Sequence, residues 1–356
     1  MHKFQTLLLL LAAYAAATWL PGPGLELRGL TVGGVVIPTP QILLAGLLLN
    51  AGLCASPAAV RAMLVARQRW LWLAFTAWLV PLAAALLTVV GLWGLLGAPA
   101  GVALGVVIVA AMPVANSSVG WATSLGGSVP LSLALLVVGT AISPLLTPLV
   151  IESAAGALGT AEAALSGTPW SQGMGLFFAT WVLLPVLAGL GLARCLPAHR
   201  HQQIVPWARR CSFAILILLN YLNGVPSLPT LAQQPHLLGW PMLGSAGLLL
   251  LSTACARWWP RLVLGRSWNS PQTGGVTAGD AHDAASEQLS LTLAGVMRNT
   301  GAALVFAGAA LPEYVMVSLT IIAYTMWQHC WVGFFLPRPA PSVSERRCHV
   351  GQSLRD

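Results

Sequence analysis

Leu293-Ala-Gly-Val-Met-Arg-Asn-Thr-Gly-Ala302 lies inside an apolar run, about residues 284–310, that otherwise reads as a membrane helix. In its middle stands Arg298, the one Lys, Arg, Asp or Glu that the pattern places deep in the membrane. A lone charge at that depth is expensive, so the default reading is a functional site. Gly295 and Gly301 bracket the arginine, and Asn299 and Thr300 follow it. This is the pattern of a helix interrupted to expose backbone and polar groups at mid-bilayer. The competing reading is an arginine near a helix end that snorkels to the interface. The small and apolar residues on both sides argue against it.

Composition agrees with a membrane setting. Of 356 residues, 57% are hydrophobic and 7% charged, against about 25% charged in soluble domains. Mean hydropathy is +0.78. One integral membrane domain accounts for residues 1–356. The net charge of +8 is not a nucleic-acid signal, because the basic residues do not interleave with aromatics in a polar domain. The cysteines (Cys54, Cys195, Cys211, Cys255, Cys330, Cys348) show no metal or disulfide spacing. No Ser/His/Asp set, carboxylate pair or phosphate-cradling loop is visible, so no enzyme is expected.

Apolar runs of spanning length, about 20 residues, fall near 4–20, 39–57, 70–92, 98–125, 129–151, 173–194, 207–225, 236–256, 284–309 and 311–336. That is ten. The first, with Lys3 and Ala15-Ala-Ala17, also resembles a signal peptide whose removal would leave nine. With the N-terminus inside, all basic residues but Arg28 and Arg298 fall in cytoplasmic segments, while Glu26, Glu152, Glu162 and Glu313 lie outside. This positive-inside pattern predicts a multi-pass protein of the cell (inner or plasma) membrane with both termini cytoplasmic. Residues 195–206 and 265–283 read as cytoplasmic loops, and 337–356 as a cytoplasmic tail.

The fourth run holds a second break, Ala111-Met-Pro-Val-Ala-Asn-Ser-Ser-Val-Gly120. Pro113 removes a helix donor and clashes with the preceding turn. Asn116, Ser117 and Ser118 then supply polar groups, as Asn299 and Thr300 do in the ninth run. Matching breaks in two halves point to a transporter binding site between repeats. The halves are about 1–152 and 168–336, five helices each, so the second inserts inverted. The half-helix N-termini would suit an anion. The candidate substrate-binding residues are Asn116, Ser117, Ser118, Arg298, Asn299 and Thr300. Asn220, Tyr221 and Asn223 read either as an interfacial cap or as the lining of an outer vestibule. Gln41 and Asn50 read as cavity-facing or as helix–helix bonding residues, and His329 as a packed side chain or a proton relay.

Pro113…Asn116-Ser-Ser-Val119, Gly127-Ser-Val-Pro-Leu-Ser132 and Ser143-Pro-Leu-Leu-Thr-Pro148 resemble the fourth- and fifth-helix motifs of the bile acid:sodium symporter family. Met297-Arg-Asn-Thr-Gly301 resembles that family's ninth-helix Gly-Met-Gln-Asn-x-Gly. The resemblance implies an all-α fold of ten transmembrane helices as two inverted five-helix repeats, with discontinuous helices four and nine crossing in a core domain. It implies secondary transport of organic anions, usually driven by sodium. The family's sodium-coordinating glutamate falls on Ala294, its glutamine on Arg298, a third-helix glutamine on Thr76 and a fifth-helix threonine on Leu136. Ser118 and Ser132 are the sodium ligands that remain beside backbone carbonyls. Two sodium ions against one glutamate leave a net +1, and Arg298 with Ala294 gives the same sum. The guanidinium therefore reads as a built-in replacement for sodium, which would hold the crossing together and pair with an anionic substrate.

The expected partners are a small-molecule organic anion and membrane lipid. No nucleic acid, obligate protein partner or cofactor other than sodium is expected. Two other classes stay open: another broken-helix carrier of the arsenite or auxin-efflux type, and a transport-dead sensor or scaffold. The arsenite carriers place a cysteine near the fourth-helix break, where this chain has Met112.

Overall fold

The structure, a computed structural model, describes residues 3–55, 67–159, 170–263 and 278–335. In chain order the helices are α1 (Lys3–Trp19), α2 (Pro21–Arg28), α3 (Thr39–Leu53), α4 (Arg67–Val89), α5 (Ala100–Ala111), α6 (Asn116–Leu125) and α7 (Val129–Ala157). There follow α8 (Trp170–Phe178), α9 (Leu184–Cys195), α10 (Ala198–Gly224), α11 (Leu228–Gln233), α12 (Gly239–Val263), α13 (Ala278–Val296), α14 (Thr300–Ala310) and α15 (Val315–Phe335). A π-helical turn extends α4 through Val90–Leu95, and another, Ala179–Leu183, joins α8 to α9.

Both breaks expected from the sequence are present, at residues 112–115 and 297–299. Four segments are long and apolar enough to cross a membrane unaided: Ala77–Leu95, Val129–Ala157, Gly173–Cys195 and Pro235–Trp258. The α1–α2 pair, bent by 88°, makes a fifth when taken as one span. The apolar helices Thr39–Leu53, Ala100–Ala111 and Thr300–Ala310 are shorter; the last two are halves of interrupted runs. Large aliphatic side chains face outward, with Leu145 78% and Leu86 65% exposed. Such surfaces are stable only against lipid or another apolar partner. The chain is an all-α membrane protein.

Three details differ from the sequence reading. Residues 198–206, taken as loop, are the start of α10, because His199–Arg210 is polar yet helix-competent and hydropathy marks spans rather than helices. Of the expected loop 265–283, residues 278–283 belong to α13, and 264–277 lie outside the described residues, as does the tail 337–356. Ahead of α3, the hairpin β1 (Thr31–Val32) and β2 (Val35–Val36) turns on Gly33 and Gly34, at φ +60° and +82°. Two successive positive φ values make the type I′ turn that suits a two-residue hairpin.

The tightest helix pair is α3 with α9. A Cβ on Gly52 would lie 2.3 Å from the Val186 carbonyl oxygen, and one on Gly189 would lie 2.1 Å from that of Leu49. Backbone meets backbone here, as at small-residue membrane interfaces. Gly189→Ala is therefore expected to cost about 1–3 kcal/mol or more by overpacking, read as earlier thermal unfolding. Gly191→Ala, with open space at its Cβ, is the control that should be silent. The helices α1, α3, α9 and α10 pack on one another, while α4, α5, α12, α13 and α15 pack around the breaks.

Candidate functional site

Pro113 has no N–H, and the residue before a proline is driven to extended backbone; Met112 has ψ 150°. The chain leaves α5 there and re-enters helix at Asn116. On the other side, Asn299 caps α14, its Oδ1 accepting from the Ala302 amide at 3.0 Å. The two breaks lie against each other in an antiparallel bridge between Val114 and Arg298. The Ala115 amide donates to the Met297 carbonyl at 2.8 Å, and the Asn299 amide to the Pro113 carbonyl at 3.0 Å.

A helix ending inside the protein leaves carbonyls that need donors. At the end of α5 the Val109 carbonyl accepts from the Met112 amide at 3.2 Å. Arg298 Nη2 donates to Ala110 O at 3.0 Å and also to Met112 O. Thr147 Oγ1, from α7, donates to Ala111 O at 2.8 Å. The end of α13 is served in the same way. Arg298 Nη1 donates to Ala294 O at 3.3 Å, and Tyr324 Oη to Val296 O at 2.7 Å. Arg298 is 0% exposed. Each helix C-terminus carries about half a negative charge, so two of them together balance one guanidinium. Among the described residues, the arginine is held by main-chain carbonyls.

Gln328 completes the arrangement. Its Oε1 accepts from the Arg298 amide at 3.2 Å, and its Nε2 donates to Thr300 Oγ1 at 3.3 Å. Tyr324 and Gln328 stand four residues apart on α15, on one helix face. The sequence reading passed over both. Their signal was two polar groups at that spacing in a membrane run, the kind of residue expected to be functional there.

The sequence-derived candidates fall into three groups. Arg298 and Thr300 are joined through Gln328, with Thr300 as an acceptor, and Asn299 serves separately as the cap of α14. Asn116 and Ser117 are half-buried in the first turn of α6, whose preceding residue, Ala115, gives no side-chain cap. Ser118 and Ser132 are each 1% exposed, with hydroxyl oxygens that bond to nothing. Arg298 Nε is also without a partner. The α14 N-terminus is thus capped from within, whereas the α6 N-terminus has no side-chain cap. His329 is buried, with Nδ1 unbonded. Groups of three or more His, Cys, Asp or Glu able to hold a metal ion do not occur among the described residues.

Thr147→Val is close to isosteric and deletes only the hydroxyl. It should leave Ala111 O without a donor and cost about 1–3 kcal/mol, checked by thermal unfolding against Thr140→Val. The Thr140 hydroxyl donates only within its own helix, to Leu136 O at 2.7 Å, so that change should cost less.

No curated protein matches the chain. The sodium bile acid symporter family matches it over residues 40–233, which takes in the first break and α7. That match exceeds half of the chain, and the chain belongs to the sodium bile acid symporter family, whose members are transporters and not enzymes.

Proposed function

We propose that the protein carries an organic anion across the cell membrane by alternating access, with Arg298 as a fixed cation where its family uses sodium. The carrying observation is the guanidinium itself, which donates to Ala110 O and Met112 O of α5 and to Ala294 O of α13. Backbone carbonyls at helix C-termini are what a broken-helix carrier offers to a coupling cation. A group that is always charged and always present removes the need for one.

The proposed architecture is ten spans in two inverted repeats, about 1–152 and 168–336, with both termini cytoplasmic. It is supported by the reciprocal bonds between the breaks, since an antiparallel pair is two-fold symmetric about its centre. The helices α1, α3, α9 and α10 pack on one another and meet the helices around the breaks through α1 against α15 and α10 against α14, an arrangement compatible with one group moving against the other. The substrate anion would meet Asn116, Ser117 and Ser118 at the N-terminus of α6, with Arg298, Asn299 and Thr300 behind them. Ser118 and Ser132 are the side-chain oxygens left to hold sodium if any binds.

The test is uptake of labelled taurocholate and of small keto acids into proteoliposomes, with and without an inward sodium gradient. Equal uptake in both conditions, lost in Arg298→Gln, is the expected result. Uptake that rises clearly with sodium in the wild type would overturn the fixed-cation reading. Binding without flux would identify a sensor instead.

A further inference from the structure

Arg28 is the one basic residue that the charge pattern leaves on the external side of the membrane. It closes α2, and its side chain is half-buried. Nη1 donates to the Leu222 carbonyl of α10 at 3.2 Å. Nη2 lies against α14, 3.2 Å from where a Cβ on Gly308 would sit. A guanidinium has five N–H donors, and the Leu222 carbonyl engages one nitrogen.

The guanidinium borders a cavity of about 200 Å³. Gln41 is the other polar side chain in its wall, and the rest is apolar, including Ile37, Pro40 and Val305. Pockets that enclose a whole drug-sized ligand run to about 300–1,000 Å³, so this one has room for a head group and a few carbons.

We propose that this cavity is a second, external anion site, in which Arg28 takes the carboxylate or sulfonate head of an amphipathic organic anion and Gln41 supplies a neutral hydrogen bond. Its role as an entry point rests on the transport reading above; its anion binding does not. The free edge of the guanidinium suits a two-oxygen head group bound through parallel hydrogen bonds. The apolar walls take the carbons next to it.

The experiment uses the full chain in lipid nanodiscs and measures taurocholate and pyruvate binding by calorimetry. Uptake from the outside is measured in parallel. Arg28→Gln should weaken taurocholate binding about ten- to a hundred-fold, the worth of hydrogen bonds to a charged group. It should raise the external half-saturation concentration and leave the maximal rate unchanged. Arg28→Lys, which keeps the charge and loses the fork, should fall between. Gly308→Val, which fills the cavity from α14, should weaken binding as well and decides the matter if Arg28→Gln does not fold. Binding that is unchanged in these variants, with uptake intact, overturns the external site and leaves the transport reading standing. Binding that depends on Arg28 in a protein that moves no anion supports the site and removes its role as an entry point. Binding of neither anion by the wild type overturns the proposal.

Discussion

Arg298→Leu is expected to give a protein that unfolds far earlier than wild type and moves no substrate. The substitution leaves Ala110 O and Met112 O without the donor they share. Each buried carbonyl left bare costs about 1–3 kcal/mol. It also leaves two half-helix C-termini, each with about half a negative charge, facing one another with no cation between them. Against this stands the desolvation of the guanidinium, several kcal/mol per buried ion in practice, which leucine avoids. The carbonyls and dipoles should win, because they are already in place and cannot turn toward water. Arg298→Lys keeps the charge and some donors and should retain part of the stability, with Arg298→Gln between lysine and leucine. Thermal unfolding followed by tryptophan fluorescence ranks the three. A leucine variant as stable as wild type would mean that the dipoles do not offset the buried charge.

The largest gain of function is expected from the double variant Ala294→Glu with Arg298→Gln. Ala294 lies in the last turn of α13 and Arg298 in the break just beyond it, where Arg298 Nη1 reaches back to Ala294 O at 3.3 Å; Ala294 is 1% exposed. The pair of changes removes one positive charge and adds one negative charge beside the same two C-termini. The site then needs a cation. Two buried hydroxyls without partners, Ser118 Oγ and Ser132 Oγ, are available as further oxygen ligands. Hard cations take such oxygen sets. Sodium at a hundred times its Kd would raise stability by about 2.7 kcal/mol. The same salt titration with potassium separates coordination from ionic strength. Ala294→Glu alone should pair with Arg298 and ignore sodium. Wild type stabilised by sodium as strongly as the double variant would refute the idea that Arg298 stands in for the ion.

The two breaks were legible in the sequence because their causes are side-chain causes. Pro113 cannot donate, and a lone arginine in an apolar run has no innocent place. The arginine's partners were not legible. They are main-chain carbonyls, which every residue carries and no residue type announces. For the same reason the capping role of Asn299, whose oxygen accepts from the Ala302 amide of its own helix, was not legible. Thr147 was in view as part of a family motif, yet its bond to Ala111 O reaches a residue 36 positions away. Gln328 was passed over although its neighbour His329 was noticed, because only the fold shows which of two adjacent residues faces the break. The early start of α10 and the hairpin at Gly33-Gly34 escaped because a search for apolar spans does not detect polar helix or short strand.

The join between the two breaks runs through peptide groups: Ala115 N–H to Met297 O and Asn299 N–H to Pro113 O. No side chain takes part in either bond, so the join does not depend on the residue types at 114, 115 or 297. Its one exclusion is proline at 115 or 299, which would delete a donor. Side chains beside the join can therefore change, and the ion chemistry with them, without rebuilding the scaffold on which that chemistry sits.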